Sequence, residues 1–349
     1  MGEAEIISLD GRARIGSEAA EPDPGRRRCR AVTRSGTQCK NTAVTDGGYC
    51  RVHSSEEQAR ASHPSGRRTA ARREHDRLSF EEFVRRRLAG DYPIDDFGYD
   101  EELTRNVLMP LAGLLYDRFF RVRTLGVERI PSEGPAVLVA NHSGTIPLDA
   151  VMMQYAVAAE HPDARLVRSV GADLVWSSPL IGPLARKSGN VVACDEDAYE
   201  LLRRGELIGV FPEGYKGVGK GWSERYKLQR FGRGGYIEIA LRTQTPIVPC
   251  AIVGAEEAYP MIGNLKTIAK AFGFPYFPIT PTFPLLGPLG LLPLPSRWII
   301  EFGEPIPMTE YPEDAADDAM LIFDLSDRIR DSIQQMLYEN LEKRGSAFF

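Results

Sequence analysis

No stretch of this 349-residue chain reaches the ~18 uninterrupted apolar residues that a membrane-spanning helix needs. The opening residues, MGEAEIISLDGRARIGSEAAEPDPG, have no basic start followed by an apolar run, so no export signal is read there. Gly2 does not make an N-myristoylation signal, because position 6 is Ile6 rather than Ser or Thr. There are only five cysteines, an odd number split between the front of the chain and its body, which argues against a secreted disulfide scaffold. A Gly-x-Ser-x-Gly nucleophile elbow is also missing, which speaks against serine-hydrolase chemistry. These absences place the expected protein in the cytoplasm, peripheral on the cytoplasmic membrane face.

The composition is that of a globular protein, 43% hydrophobic and 26% charged with a net charge of -5. The charge is unevenly spread. Between Arg26 and Arg77 there are 13 Lys or Arg against 5 Asp or Glu, so the front segment suits an anionic partner such as a membrane surface. Four regions follow: a disordered tail over 1–25, a Cys-bearing module over 26–54, a basic linker over 55–78 and one large domain over 79–349. The linker has too few large apolar side chains to fold alone.

The module carries Cys29, Cys39, Cys50 and His53. Three thiolates and one imidazole make a complete tetrahedral set for a structural zinc ion, and so short a segment has no other evident source of stability. It resembles small zinc modules with a Thr-x-x-Gly-x-x-Cys core, here Thr33, Gly36 and Cys39. The neighbouring Arg26, Arg27, Arg28, Arg30 and Lys40 are able to meet phosphates. Nucleic acid is not the expected partner.

In the large domain, short apolar runs alternate with helical patterns, which predicts an α/β fold with a largely parallel sheet flanked by helices. Strands are expected at 136–140, 207–211, 247–253 and 298–300, with shorter ones at 166–167 and 191–192. Helices are expected over 149–160, from Asp195 to a stop at Gly205, and near the C-terminus, where Ile322, Leu325, Ile329, Ile333, Met336 and Leu337 recur at helical spacing.

Two polar strings directly follow buried strands. The first is Asn141-His142-Ser143-Gly144-Thr145-Ile146-Pro147-Leu148-Asp149, and the second is Phe211-Pro212-Glu213-Gly214-Tyr215-Lys216-Gly217. Ligand sites in α/β sheets form beyond the carboxyl ends of strands, so both strings should face one crevice. A histidine is suited to taking a proton from an alcohol, and a carboxylate on its other nitrogen fixes the tautomer. The basic residues that follow, from Lys216 and Lys220 to Arg233, suit a substrate with phosphates.

Together the strings resemble the lysophospholipid and glycerolipid acyltransferase superfamily. Its members carry Asn-His-x4-Asp, then a Gly-bearing block, then Phe-Pro-Glu-Gly, then a Val-Pro strand. Here these are NHSGTIPLD, Lys187-Ser188-Gly189-Asn190-Val191, FPEG and Ile247-Val248-Pro249-Cys250, over roughly residues 100 to 310. The resemblance implies a fatty acyl group moved from acyl-CoA or acyl-carrier protein to a hydroxyl of lysophosphatidate or of mono- or diacylglycerol, with no catalytic metal or redox cofactor. It implies His142 as general base, Asp149 as its partner, and substrate contacts at Asn141, Ser143, Gly144, Gly189, Phe211, Pro212, Glu213, Gly214, Lys216 and Lys220. Backbone N–H groups near the helix start or Gly214 would stabilise the oxyanion.

Three departures from the family pattern stand out, the first bearing on the His142–Asp149 pair and the other two on the acceptor. Six residues, not four, separate His142 from Asp149; Tyr215-Lys216 stands where Thr-Arg is usual; and Ala193-Cys194-Asp195 replaces an acidic-Arg ending. The last two bring the chain closer to the mono- and diacylglycerol acyltransferase-like branch. Water as acceptor would make the same pair a lipid or thioester hydrolase, and an inactive zinc-dependent binding protein is the remaining alternative. The uncharged string Pro281 to Pro295, PTFPLLGPLGLLPLP, is too proline-broken to span a bilayer but is suited to dipping into its interface, as is the apolar Val107 to Phe120.

Overall fold

The computed structural model describes residues 78–348 apart from 180, 233 and 272. The zinc-ligand set Cys29, Cys39, Cys50 and His53, the tail and the linker lie outside the described residues. The strands are β1 (Arg123–Leu125), β2 (Ala136–Ala140), β3 (Val167–Gly171), β4 (Val191–Val192), β5 (Leu207–Val210), β6 (Ile247–Val253), β7 (Gly263–Asn264), β8 (Pro278–Ile279) and β9 (Ile299–Phe302). Five helices are used below: α1 (Phe80–Ala89), α2 (Leu148–Glu160), α3 (Asp195–Arg203), α4 (Gly235–Arg242) and α5 (Ala319–Arg344).

Seven strands form one sheet in the order β1-β9-β6-β2-β5-β3-β4. The five from β6 to β4 run parallel, and β9 pairs antiparallel with β6. The sequence pattern gave no sign of that reversal, nor of β1, whose Arg-Thr-Leu is not an apolar run. The two-stranded β7–β8 ladder stands apart from the sheet.

β2 explains the layering. All five residues of Ala136–Ala140 are buried, as expected of a central parallel strand covered on both faces. Successive side chains point to opposite faces. Val137 and Val139 join one core with Leu201 and Leu202 of α3, Ile237 and Leu241 of α4, and Ile329, Ile333 and Leu337 of α5. Ala136, Leu138 and Ala140 join the other with Met152, Met153 and Val157 of α2, Tyr116, Phe120 and Trp298. Helices therefore cover both faces, and truncating a residue such as Leu138 to Ala should cost about 2–5 kcal/mol.

Local chemistry sets the helix ends. Ser79 caps α1 by accepting from the Glu82 N–H at 3.2 Å, and Gly90 closes it in the left-handed region. Asp318 caps α5 by accepting from the N–H groups of Met320 and Leu321. The helical stretch 101–119 contains wide π-type turns at Thr104–Leu108 and Leu114–Phe119. Pro110, between them, has no N–H to continue an α-helical ladder.

Candidate active site

β6, β2 and β5 are adjacent and parallel, so their carboxyl ends open on the same edge of the sheet. The chain leaves β2 at Asn141, a fully buried residue. Its amide donates to the Ile252 carbonyl at 2.9 Å and accepts from the Ile252 N–H at 2.7 Å. This side chain takes the place of one more backbone rung between β2 and β6.

His142 comes next, and its side chain is 16% exposed. Its Nδ1 lies 2.7 Å from Oδ2 of Asp149, which is completely buried in the first turn of α2. The same Oδ2 accepts the Ser143 N–H at 2.9 Å, and Oδ1 accepts the Ala150 N–H at 2.8 Å. Gly144, at φ 84, lets the chain turn so that six intervening residues close on a contact expected of four. An ionised carboxylate only accepts, so Nδ1 carries the proton and Nε2 keeps the lone pair. Among the described residues Nε2 has no hydrogen-bond partner. The ring lies 4.7 Å from that of Phe211, centroid to centroid.

The turn after β5 is fastened to the same place by Glu213. Its Oε1 accepts the backbone N–H of His142 at 2.9 Å, and its Oε2 accepts that of Gln229 at 2.7 Å. Lys220 Nζ lies 3.3 Å from Glu213 Oε2 and 3.0 Å from Glu256 Oε1. All three side chains are nearly or fully buried. Burial pulls the Lys220 ammonium down, but Glu256 and Glu213 outweigh it and the net shift is upward. Burial pushes the Glu256 carboxyl up, with the Lys220 ammonium offsetting part of that. Glu256 also accepts the Tyr226 N–H at 2.7 Å.

Gly217 packs against this junction. A Cβ there would stand 2.6 Å from the His142 carbonyl oxygen and 2.8 Å from Glu213 Cβ. A shallow depression opens beside it, with Gly144, Gly217, Lys220, Trp222, Glu256 and Tyr259 among its lining residues.

An acyltransferase family model matches residues 121–253, the span from β1 through β6. An uncharacterized protein of Mycobacterium tuberculosis (strain H37Rv) is 52% identical over 267 residues, covering 76% of this chain and 75% of its own length. The chain belongs to the acyltransferase family. A bovine protein described as a DGAT1/2-independent enzyme synthesizing storage lipids is 24% identical over 228 residues, covering 63% of this acyltransferase and 64% of its own length. The crystal structure of the 1-acyl-sn-glycerophosphate (LPA) acyltransferase PlsC from Thermotoga maritima aligns at a TM-score of 0.45 with 18% identity, over 70% of this acyltransferase and 84% of that chain.

The residues expected to touch substrate fall into two groups. His142, Ser143, Gly144, Phe211, Pro212, Glu213, Gly214 and Lys220 gather around the Asp149 contact. Lys216 is exposed on the short helix that begins after Gly214. Asn141 and Glu213 are committed to backbone partners, and Lys220 to two carboxylates, so these three build the site from beneath. Gly189 is placed elsewhere. It precedes β4 at the sheet edge, three strands or about 14 Å from β2, and packs against Tyr99. Its φ of 93 gives a turn-forming reason for the glycine.

Oxyanion donors are narrower than expected. The Gly214 N–H is spent on the Phe211 carbonyl, and those of His142 and Ser143 on carboxylates. Those of Gly144 and Thr145 donate to no described group. Glu256 was missed in the sequence, although it follows β6 as Glu213 follows β5, and the same strand-end rule would have found it.

Proposed function

We propose that this acyltransferase moves a fatty acyl group from a thioester donor, acyl-CoA or acyl-carrier protein, to a hydroxyl of a glycerolipid. The 2.7 Å contact between buried Asp149 and the partly exposed ring of His142 carries this reading. Nε2 takes the proton of the acceptor hydroxyl, and its oxygen attacks the thioester carbon. Asp149 stabilises the imidazolium, and the N–H groups of Gly144 and Thr145 meet the oxyanion. When the C–S bond breaks, the imidazolium returns its proton to the leaving thiolate, giving an acyl ester and a free thiol.

A neutral acceptor, mono- or diacylglycerol, is favoured over lysophosphatidate. Lys220, buried beneath the His142 junction, is already matched by Glu213 and Glu256. Lys227 pairs with Glu224, and Arg225 stacks on Trp222. At Lys220 a phosphate would compete with these carboxylates, and the exposed Lys216 offers it a point charge in place of the usual arginine fork.

Purified protein with radiolabelled acyl-CoA and a panel of lipid alcohols tests this. Labelled acyl ester is expected, with more from neutral glycerides than from lysophosphatidate. Free fatty acid alone would make the protein a hydrolase, and no product at all would overturn the assignment.

A further inference from the structure

The segment from Met261 to Ser296, between β6 and β9, holds 36 residues without a single Asp or Glu, in a chain of net charge -5. Its only charges are Lys266 and Lys270, both exposed. Neither lysine has an ion-pair partner among the described residues. The segment also concentrates exposed apolar side chains. Leu285 is 85% exposed, Leu289 69%, and Ile262, Leu286 and Leu292 are each more than half exposed.

This is an ordered unit. The Leu265 N–H donates to the Phe277 carbonyl at 2.9 Å across the β7–β8 ladder, and the Phe277 and Phe283 rings pack at 5.4 Å. The Thr282 hydroxyl donates to the Gly290 carbonyl at 3.0 Å and folds the leucine loop back on itself. The unit also reaches the reaction centre. Tyr276 donates its hydroxyl to the Thr145 carbonyl at 2.8 Å, within the loop between His142 and Asp149.

We propose that residues 261–296 dock the protein onto an anionic lipid bilayer, with Leu285, Leu286, Leu289 and Leu292 entering the acyl boundary and Lys266 and Lys270 meeting the headgroups. A patch of exposed leucines is costly in water and gains area on burial. Absence of any acid lets the surface approach anionic headgroups without repulsion, and the two lysines add attraction. The acyl-transfer reading supplies the reason for meeting a bilayer, since its acceptor is a lipid. Tyr276 then places the docked surface next to His142, so the acceptor is delivered where its hydroxyl reacts.

Flotation of the full chain tests the surface directly. Vesicles of phosphatidylcholine alone are compared with equal parts phosphatidylcholine and phosphatidylglycerol. The triple variant Leu285→Ser, Leu289→Ser, Leu292→Ser is expected to lose about tenfold or more in partitioning to both vesicles. The variant Lys266→Glu, Lys270→Glu should lose partitioning to the anionic vesicles only. Turnover of a vesicle-borne long-chain acceptor should fall in the triple variant, while turnover of a dispersed short-chain acceptor persists. Wild-type-like flotation of the triple variant overturns the proposal. So does a wild-type dimer in sedimentation that the serine changes convert to monomer without altering flotation, because the patch would then serve a second copy. Flotation without acyl transfer to either acceptor leaves the docking surface standing and sinks the enzymatic reading instead.

Discussion

The backbone N–H of His142 donates to Glu213 Oε1 at 2.9 Å, so two residues 71 positions apart in sequence are fixed by one buried carboxylate. Glu213 does not reach out toward a substrate. It secures the backbone of His142, the proposed general base, and is itself tied through Lys220 to Glu256 just beyond the third strand. The candidate active site is thereby clamped from β2, β5 and β6 together.

His142→Ala should reduce acyl transfer by on the order of 10²–10⁴-fold. Asp149→Asn should fall in a similar range while keeping the fold, because its one amide oxygen still accepts one of the two N–H groups, Ser143 or Ala150, that the carboxylate oxygens take separately. Initial rates with matching circular dichroism spectra check both. Wild-type turnover in His142→Ala refutes the assignment.

Lys220→Met should destabilise the fold by about 3–5 kcal/mol at neutral pH, because it leaves Glu213 and Glu256 buried without their cation. The pH dependence has a definite sign. The Glu256 carboxyl is already raised in the folded state, so its contribution is present in acid and is lost as pH rises through its folded value. Without Lys220 that loss becomes larger. The stability gap between variant and wild type should therefore be smallest in acid and widen toward neutral pH. The raised Lys220 acts in the same sense at the alkaline end: its stabilising contribution is intact below its ordinary pKa and disappears as pH climbs through its folded value. Urea titrations across a pH series measure both trends, and a gap independent of pH contradicts them.

Gly217→Ala should lower turnover at least tenfold and cost about 1–3 kcal/mol, since the added methyl must displace the His142 backbone or Glu213. Gly214→Ala meets no atom within 4 Å but is strained by φ 53, so its effect should be on stability more than on rate. Comparing the two by thermal melts and initial rates separates crowding of the reaction centre from backbone strain.

For the front module, the full chain should bind one equivalent of zinc through Cys29, Cys39, Cys50 and His53, and Cys39→Ser should lose it. Metal analysis after extensive dialysis decides this. A full-length preparation free of stoichiometric zinc removes the module from the account.

Much of the domain was legible because its central strands are unbroken apolar runs, such as Ala136–Ala140 and Ile247–Val253, bounded by polar strings. The same rule put His142 and Glu213 on one edge. It failed where the physics is long-range. The direction of β9 depends on a pairing between residues about 50 apart, not on its own Ile-Ile-Glu-Phe. The internal pairing of Lys220 with Glu256 gives no periodic signal, so the lysine reads as a solvated or phosphate-binding charge. Gly189 carries a second reason for being glycine that the sequence does not display, a left-handed turn at the sheet edge close against Tyr99.

Asn141 shows how the chain can end a strand without ending the sheet. By imitating a peptide group toward Ile252, its amide releases the main chain one residue early. The next two N–H groups are then available to carboxylates instead of to a neighbouring strand. Aspartate at 141 has the same shape but no amide hydrogen. It would turn a donor into a second acceptor facing the Ile252 carbonyl, and the imidazole would lose its footing before any substrate arrived.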